Sequence, residues 1–281
     1  MARAAARCHA GRMLAARRLV RSALGAWLAF AVLFAACATA PAPAPALRVV
    51  SYNIRHGAGM DGRVDLARTA AVLRALSPDL VALQEVDERV KRSGGVDQAQ
   101  QLGEALGMQA RFTSFMDYQG GRYGLAILSR LPIRAHRTIP LPPGDEPRAA
   151  LLVEVELANG ERVALVCVHF HWIADDTVRF DQARTLCASL DALPMPYLVV
   201  GDFNDEPGSR TLGLFAQRTL AAAKPAAARL TYPADEPTKE IDFVQAGPPT
   251  RWHVREVQVV DERVASDHRP LLAVLALQPA R

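Results

Sequence analysis

The sequence predicts an α/β (α+β) fold in which two packed, largely antiparallel β-sheets are flanked by helices. Three observations point there. Short apolar runs rich in branched residues alternate with helical patterns of period near 3.6. Between residues 109 and 169 five strand-like runs follow one another. Residues 47–281, about 235 in all, suit one domain, and no repeat of 20 to 50 residues interrupts them.

The elements follow in order. Leu47 to Ile54 reads as a strand. Leu66 to Leu76 reads as a helix with apolar positions at Leu66, Ala70, Leu73 and Leu76, stopped by Ser77-Pro78-Asp79. Leu80 to Val86 is the next strand, and Val96 to Leu106 a second helix closed by Gly107. Strands are expected at Gln109–Phe115, Tyr123–Ser129, Ile133–Ile139, Ala149–Leu157 and Val163–His169, with Asn159-Gly160 as the hairpin turn between the last two. Asp175 to Leu190 reads as a helix and 197–201 as a strand. A loop-rich stretch precedes strands at 241–245, 252–259 and 270–276. Catalytic groups are expected on loops at one end of the sandwich, shaped by the Pro-rich segments 140–147 and 224–237.

Charge divides the chain. Half of the 281 residues are hydrophobic, and the formal net charge is +4. Yet residues 1–46 hold six arginines and no acid, which leaves 27 basic against 29 acidic residues in the remainder. A domain living on non-specific nucleic-acid contacts keeps a basic surface, so nucleic acid is a disfavoured partner. The arginines precede an apolar run from Ala23 to Ala36, too short to span a bilayer comfortably. The run ends at Phe34-Ala35-Ala36-Cys37, which resembles a bacterial lipoprotein cleavage box with Phe34 where Leu is usual. Residues 1–37 are therefore expected to be a signal peptide or lipoprotein leader. Export to the periplasm or anchoring at the membrane through Cys37 follows. Cleavage near Ala36–Ala40 and an uncleaved anchor are the alternatives. Residues 38–46, alternating Ala, Thr and Pro, read as an extended tether. Cys167 and Cys187 read as buried thiols, and no zinc-like Cys/His spacing occurs.

The chemistry-bearing residues stand at strand ends. Asn53 closes the first strand and by itself reads as a turn residue. Glu85 follows an apolar run, and a half-buried carboxylate needs a partner, either a salt bridge or a metal. Strand alternation puts His169 and His171 on one face with Cys167. Asp202 and Asn204 lie two apart in Gly201-Asp202-Phe203-Asn204-Asp205, which also reads as an Asx-turn. Asp242 opens an apolar strand, and Asp267-His268 sets a carboxylate beside an imidazole. Together they suit a divalent cation beside a proton-transfer group, the equipment for cleaving a phosphate ester.

Seven segments carry a resemblance. They are Ser51-Tyr52-Asn53-Ile54, Leu83-Gln84-Glu85-Val86, Gly124 to Arg130, Val168-His169-Phe170, Gly201-Asp202-Phe203-Asn204, Ile241-Asp242-Phe243 and Ser266 to Pro270. The chain resembles the endonuclease/exonuclease/phosphatase superfamily. The resemblance implies a deoxyribonuclease-I-like, four-layer sandwich of two mixed sheets; a monomer is expected. It implies Mg²⁺ (or Mn²⁺) at Glu85, with Asn53 and Asp267 close by. Asp202 would orient or deprotonate the attacking water, Asn204 would hydrogen-bond the phosphoryl group, and His268 would transfer a proton, held by Asp242. The resemblance leaves open which of Asp202 and His268 is the base. His169 would act near the leaving oxygen. Arg148 matches a phosphate-supporting arginine of some relatives, and reads equally as a surface arginine.

His169 stands where abasic-site endonucleases carry Tyr, and Trp172 where they carry Asn, so DNA repair is disfavoured. Leu125 stands where many relatives have Asn. Arg92 to Gln98, Tyr123-Gly124 and Arg179 to Ala183 resemble a bacterial branch of metal-dependent hydrolases. That branch is similar to eukaryotic proteins linked to glycosylphosphatidylinositol (GPI) lipid remodelling, and more distantly to sphingomyelinases. The expected activity is a Mg²⁺-dependent phosphodiesterase of the cell envelope, acting on a phospholipid, a GPI-like lipid or a small phosphoester. A secreted nuclease and an inactive binding protein are the competing readings. In cells fed a labelled fatty acid, the chain is expected to take up label and Cys37→Ser to lose it; label retained by that variant would rule out lipidation at Cys37.

Overall fold

A computed structural model describes residues 46–279. The leader and Cys37 lie outside the described residues, as does nearly all of the tether. Ala46, expected to end that tether, instead opens the first strand opposite Ala276. Among the described residues no helix is long and apolar enough to cross a membrane.

Twelve strands form two six-stranded sheets. The first holds β1 (Ala46–Asn53), β2 (Leu80–Glu88), β3 (Gln109–Tyr118), β4 (Gly121–Ser129), β11 (Trp252–Val259) and β12 (Leu271–Leu277), in the order β11-β12-β1-β2-β4-β3. The second holds β5 (Ile133–Leu141), β6 (Arg148–Glu156), β7 (Arg162–His169), β8 (Tyr197–Asp202), β9 (Leu220–Ala221) and β10 (Asp242–Gly247), in the order β5-β6-β7-β8-β10-β9. Each sheet has one parallel pair, β1 with β2 and β7 with β8, and its other pairs are antiparallel. Helices α1 (Leu66–Leu76) and α2 (Gln98–Leu106) cover the first sheet, and α3 (Thr177–Asp191) and α4 (Arg210–Ala216) the second. This is the expected four-layer sandwich.

Strand alternation sorts the side chains into three cores. Leu47 and Val49 of β1, Leu165 and Cys167 of β7, Leu198 and Val200 of β8 and Val244 and Ala246 of β10 face the space between the sheets. Their neighbours in sequence face the helices: Val50 and Tyr52 pack under α1 and α2, and Val166 and Val199 under α3. Extending the inter-sheet face by two residues reaches His169 and Asp202, extending it by four from Val49 reaches Asn53, and stepping back two from Val244 reaches Asp242. The apolar face of four strands thus turns polar at the same end of the sandwich.

Local chemistry sets the boundaries. Asp97 caps α2 by accepting from the Gln100 N–H at 2.9 Å, so that helix starts two residues later than its apolar pattern suggests. Asp175 accepts from the Thr177 N–H at 2.8 Å, which delays α3 likewise. Pro140 and Leu141 belong to β5, not to the following loop, because β5 is an edge strand and tolerates the missing N–H. Helix α4 lies in the stretch read as loop, started by Ser209 accepting from the Leu212 N–H. Gly201 has φ +153°, and a Cβ there would stand 2.0 Å from the Val168 carbonyl oxygen. Only glycine lets β8 lie this close to β7 just before Asp202.

Candidate active site

Asp202, the last residue of β8, has His169 opposite on β7 and Asp242 opposite on β10. Three adjacent strands so place three titratable side chains in one row, all buried. The first sheet joins the row through Asn53 at the end of β1. Its Nδ2 donates to Glu85 Oε1 at 3.0 Å and to Asp202 Oδ2 at 3.3 Å. Ser266 ties the loop before β12 to β1 by donating to the Asn53 carbonyl at 2.7 Å, and so delivers Asp267 and His268.

Burying a lone carboxylate costs several kcal/mol, and Asp202 is 1% exposed. Its surroundings answer that cost. Oδ1 accepts from the Asn204 N–H at 2.8 Å, the Asx-turn anticipated from spacing. Oδ2 lies 3.4 Å from His169 Nε2 and 3.6 Å from His268 Nε2. Burial still pushes the Asp202 carboxyl above the usual range, with His268 opposing and Asp242 adding to the shift. For His268, burial by itself would lower the imidazole, but Asp242, at 3.0 Å from Nδ1, and Asp202 outweigh it and raise it to about 10. His169 goes the other way. Burial, Arg148 and His268 hold it well below its ordinary value, so it is neutral.

A cleft of about 600 Å³ opens on this row. Glu85 reaches it through a β-bulge in β2, where the register against β4 shifts between Leu83 and Val86 and Glu85 takes φ +57°. Without the bulge, Glu85 would follow Leu83 by two residues onto the helix-covered face. Burial, and then Asp267, raise the Glu85 carboxyl, while the Asn53 hydrogen bond lowers it. Arg148 lines the same cleft although 4% exposed. Its Nη2 pairs with Glu146 at 2.9 Å and its guanidinium lies 4.9 Å from the Phe115 ring centre. Its Nε and Nη1 have no hydrogen-bond partner among the described residues. A buried guanidinium with unspent donors is a site for an anion.

The donor set fits a hard divalent cation. Glu85 and Asp267 both line the cleft, each adds unfavourable like charge to the other, and a cation between carboxylates relieves that. Asn53 is turned with its amide nitrogen toward Glu85 and Asp202, while its Oδ1 accepts from the Arg55 N–H at 3.1 Å. Offering that oxygen to a cation requires the amide to turn over. Among the described residues, Asp202, Asp242 and His268 also gather three possible ligand atoms within 4.8 Å. Asp242 Oδ2, Asp202 Oδ2 and both His268 nitrogens already meet one another, which suits proton transfer, while Asp242 Oδ1 has no partner among the described residues.

All nine residues read from the sequence thus meet at one end of the sandwich, in the cleft or directly beneath it. His171 does not join them: β7 ends at His169, and the His171 ring packs against Gly144, where a Cβ would stand 2.7 Å from it. Leu125 is buried between the sheets, away from the cleft. The segments Arg92 to Gln98 and Arg179 to Ala183 brace the loops around the site. Arg179 donates to the carbonyls of His171 and Ile173 and pairs with Asp205 at 3.0 Å, while Gln182 links the His171 N–H to the Pro142 carbonyl. Tyr123, Tyr232, Trp172 and Lys239 also line the cleft and were not singled out for it. Strand alternation could have found Tyr123, which shares the face of Leu125 and Ile127.

Fold and site define a hydrolase of phosphate esters. The chain belongs to the Endonuclease/Exonuclease/phosphatase family, whose profile matches residues 50–268. That family comprises divalent-metal-dependent phosphoesterases and nucleases. Solved structures agree in fold. An endonuclease/exonuclease/phosphatase from Beutenbergia cavernae is 24% identical with a TM-score of 0.66, over 84% of this chain and 72% of that one. The catalytic domain of human Nocturnin, solved with a sulfate anion, is 21% identical with a TM-score of 0.67, over 83% of this chain and 94% of that one. A mannosyl-6-phosphatase from Bacteroides thetaiotaomicron is 17% identical with a TM-score of 0.66, over 82% of this chain and all (100%) of that one.

The His268–Asp242 contact has a signature in stability. Because the folded imidazole is raised to about 10, its stabilisation is full below about pH 6.5 and fades as pH rises toward 10. Asp242→Asn is expected to lose about 1.5–3 kcal/mol near pH 6.5. Denaturant unfolding of both proteins should show that gap closing by pH 10, and a gap constant with pH would contradict the charged pair.

Proposed function

We propose that the protein is a Mg²⁺- or Mn²⁺-dependent phosphodiesterase of the cell envelope that hydrolyses a lipid headgroup or another small phosphoester. The observation carrying this reading is the buried, under-partnered guanidinium of Arg148 in a cleft that also holds Glu85, Asp202 and His268. A cation held by Glu85 and Asp267, with Asn53, would neutralise charge on the phosphoryl oxygens. Arg148 binds the phosphoryl group on the other charge-matched side, and Asn204, whose Nδ2 already donates to the Phe170 carbonyl at 2.9 Å, lines the cleft beside it.

Asp202 is the better base. His268, held cationic by two carboxylates, has no free lone pair to offer water. Asp202, pushed up by burial, is matched to accept a proton near neutral pH. A water oxygen attacks phosphorus and its proton passes to Asp202. The phosphorus–oxygen ester bond breaks, and the leaving oxygen takes a proton from the His268 imidazolium, which the proton accepted by Asp202, 3.6 Å away, then restores. Asp242, 3.0 Å from His268 Nδ1, holds the imidazolium in orientation throughout. His169, neutral, offers a hydrogen bond rather than a charge.

The mouth of the cleft favours a small or lipidic ester over a polymer. Glu146, Asp205 and Glu206 mix with Arg179 and Lys239 there, unlike the uniformly basic groove that a nucleic-acid backbone calls for. Trp172, 61% exposed, stands at the rim with Ile173 and Ala174, an apolar lip suited to lipid. The arginine-rich leader read in the sequence supports the envelope location.

The purified protein with Mg²⁺ is expected to hydrolyse bis-p-nitrophenyl phosphate or a phospholipid, and EDTA to abolish it. Mg²⁺ at about 100 times its dissociation constant should add roughly 2.7 kcal/mol of stability to the wild type. Glu85→Gln should lose at least about tenfold in Mg²⁺ affinity, a loss of that order being usual for a disrupted metal site. Full activity in EDTA, or unaltered Mg²⁺ binding by Glu85→Gln, would rule out this metal assignment; plasmid nicking without ester or lipid turnover would favour the nuclease.

A further inference from the structure

Tyr123 is the cleft residue whose placement its packing leaves only half explained. Its ring is 7% exposed and continues the inter-sheet face of β4. The ring is gripped on several sides: Phe115 meets it edge-on at 5.2 Å, and the Arg92 guanidinium lies 5.1 Å from its centre. Arg92 is itself fixed by a two-point pair with Asp87 at 2.9 Å for each bond, and it also covers the Tyr118 ring at 4.6 Å. These contacts fix the ring and account for none of the hydroxyl. The Tyr123 carbonyl accepts from Ser114 Oγ at 3.5 Å, but its hydroxyl makes no hydrogen bond to another described residue, and the side chain lines the cleft. A hydroxyl without a protein partner at the edge of a cleft is free to meet a ligand there, whereas packing alone would be served equally by Phe.

The charged groups that act most on this hydroxyl are Glu85 and the phosphate-binding Arg148. Arg148 lies over the same Phe115 ring that Tyr123 meets edge-on. Phe115 thus sets a phenol and a guanidinium on one wall of the cleft, the guanidinium with its Nε and Nη1 unpartnered. A phenol near neutral pH is a neutral donor, suited to an anionic oxygen that already has a cation beside it.

We propose that the Tyr123 hydroxyl contacts the substrate and, with Arg148, binds the phosphoryl oxygens. This rests on the phosphoester reading above. Asp87 and Arg92, which do not reach the cleft, act by holding the ring that carries the donor. The same arrangement explains why Asp87, Arg92 and Tyr123 are placed together: the half-buried Asp87–Arg92 pair fixes the guanidinium that lies against the Tyr123 ring.

The test uses the full-length protein, Mg²⁺, inorganic phosphate as the binding probe and bis-p-nitrophenyl phosphate as the substrate. Tyr123→Phe keeps the ring contacts and removes only the oxygen. It is expected to weaken phosphate binding by calorimetry about 10- to 100-fold, and to lower kcat/KM by a similar factor. Its Mg²⁺ affinity and its thermal midpoint are expected to stay at wild-type values, since the hydroxyl has no protein partner to lose. Phosphate affinity and kcat/KM equal to wild type would overturn the inference while leaving the phosphoester reading intact. A fall in both that follows a lowered thermal midpoint would assign Tyr123 a packing role and overturn it too. A wild type that neither binds phosphate nor cleaves any ester would instead overturn the phosphoester reading.

Discussion

The site depends on one buried charge. Asp202 ends a strand between two sheets, with almost no exposure to water, and must be matched by groups from both. The matching groups are Asn53 from the first sheet, His169 from the adjacent strand, His268 from the loop before β12, and a backbone N–H two residues on. None arrives by accident of side-chain length. Asn53, His169, Asp202 and Asp242 each continue the apolar inter-sheet face of their strand, so the same alternation that builds the core aims them at one point. The fold and the chemistry share a single geometric rule.

Around that point charge is segregated. His268 is held cationic between Asp242 and Asp202, while His169, beside Arg148, is held neutral. The two imidazoles, of one residue type and both against Asp202 Oδ2, therefore have different jobs set by their neighbours. On the other side, Glu85 and Asp267 leave negative charge only partly answered, by Asn53 and by Arg55 at 3.6 Å. Backbone strain accompanies this division. Glu85 and Asn204 both adopt positive φ, at +57° and +50°. Such conformations cost on the order of 1–3 kcal/mol each and persist where the surrounding structure insists on them. Asn204 has its reason in the Asx-turn to Asp202 and its bond to the Phe170 carbonyl. Glu85 has its reason in the bulge that turns it into the cleft.

Much of this was legible in the sequence because strand ends are where alternation and chemistry meet. A buried strand that closes on Asp, Asn or His announces a polar demand before any contact is known. Eleven of the twelve strands (all but the two-residue β9), three helices, the Asn159-Gly160 turn, the free buried thiols of Cys167 and Cys187 and the gathering of Asn53, Glu85, His169, Asp202, Asp242, Asp267 and His268 were readable for that reason. Features that depend on contacts distant in sequence were hidden. Helix α4 is seven residues long and carries too short a periodic pattern to stand out. The bulge at Glu85 leaves no composition signal, since it arises from register against β4. The burial of Arg148 under Phe115 joins residues 33 apart, and nothing near Arg148 distinguishes it from a surface arginine. His171 was misplaced because alternation was carried past the end of β7, where the chain turns under Gln182 and Arg179.

The claim everything else rests on is that Asp202 is buried for chemistry and not for structure. Asp202→Asn removes the charge while keeping the shape and an oxygen for the Asn204 N–H. Rate measurement with this variant on an ester that the wild type cleaves, alongside its thermal midpoint, separates the two. The account predicts a protein at least as stable as wild type without metal, because the desolvated charge is gone, with kcat lower by about 10²–10⁴-fold or more. A variant that keeps wild-type kcat, or that loses activity only because it unfolds, would contradict it.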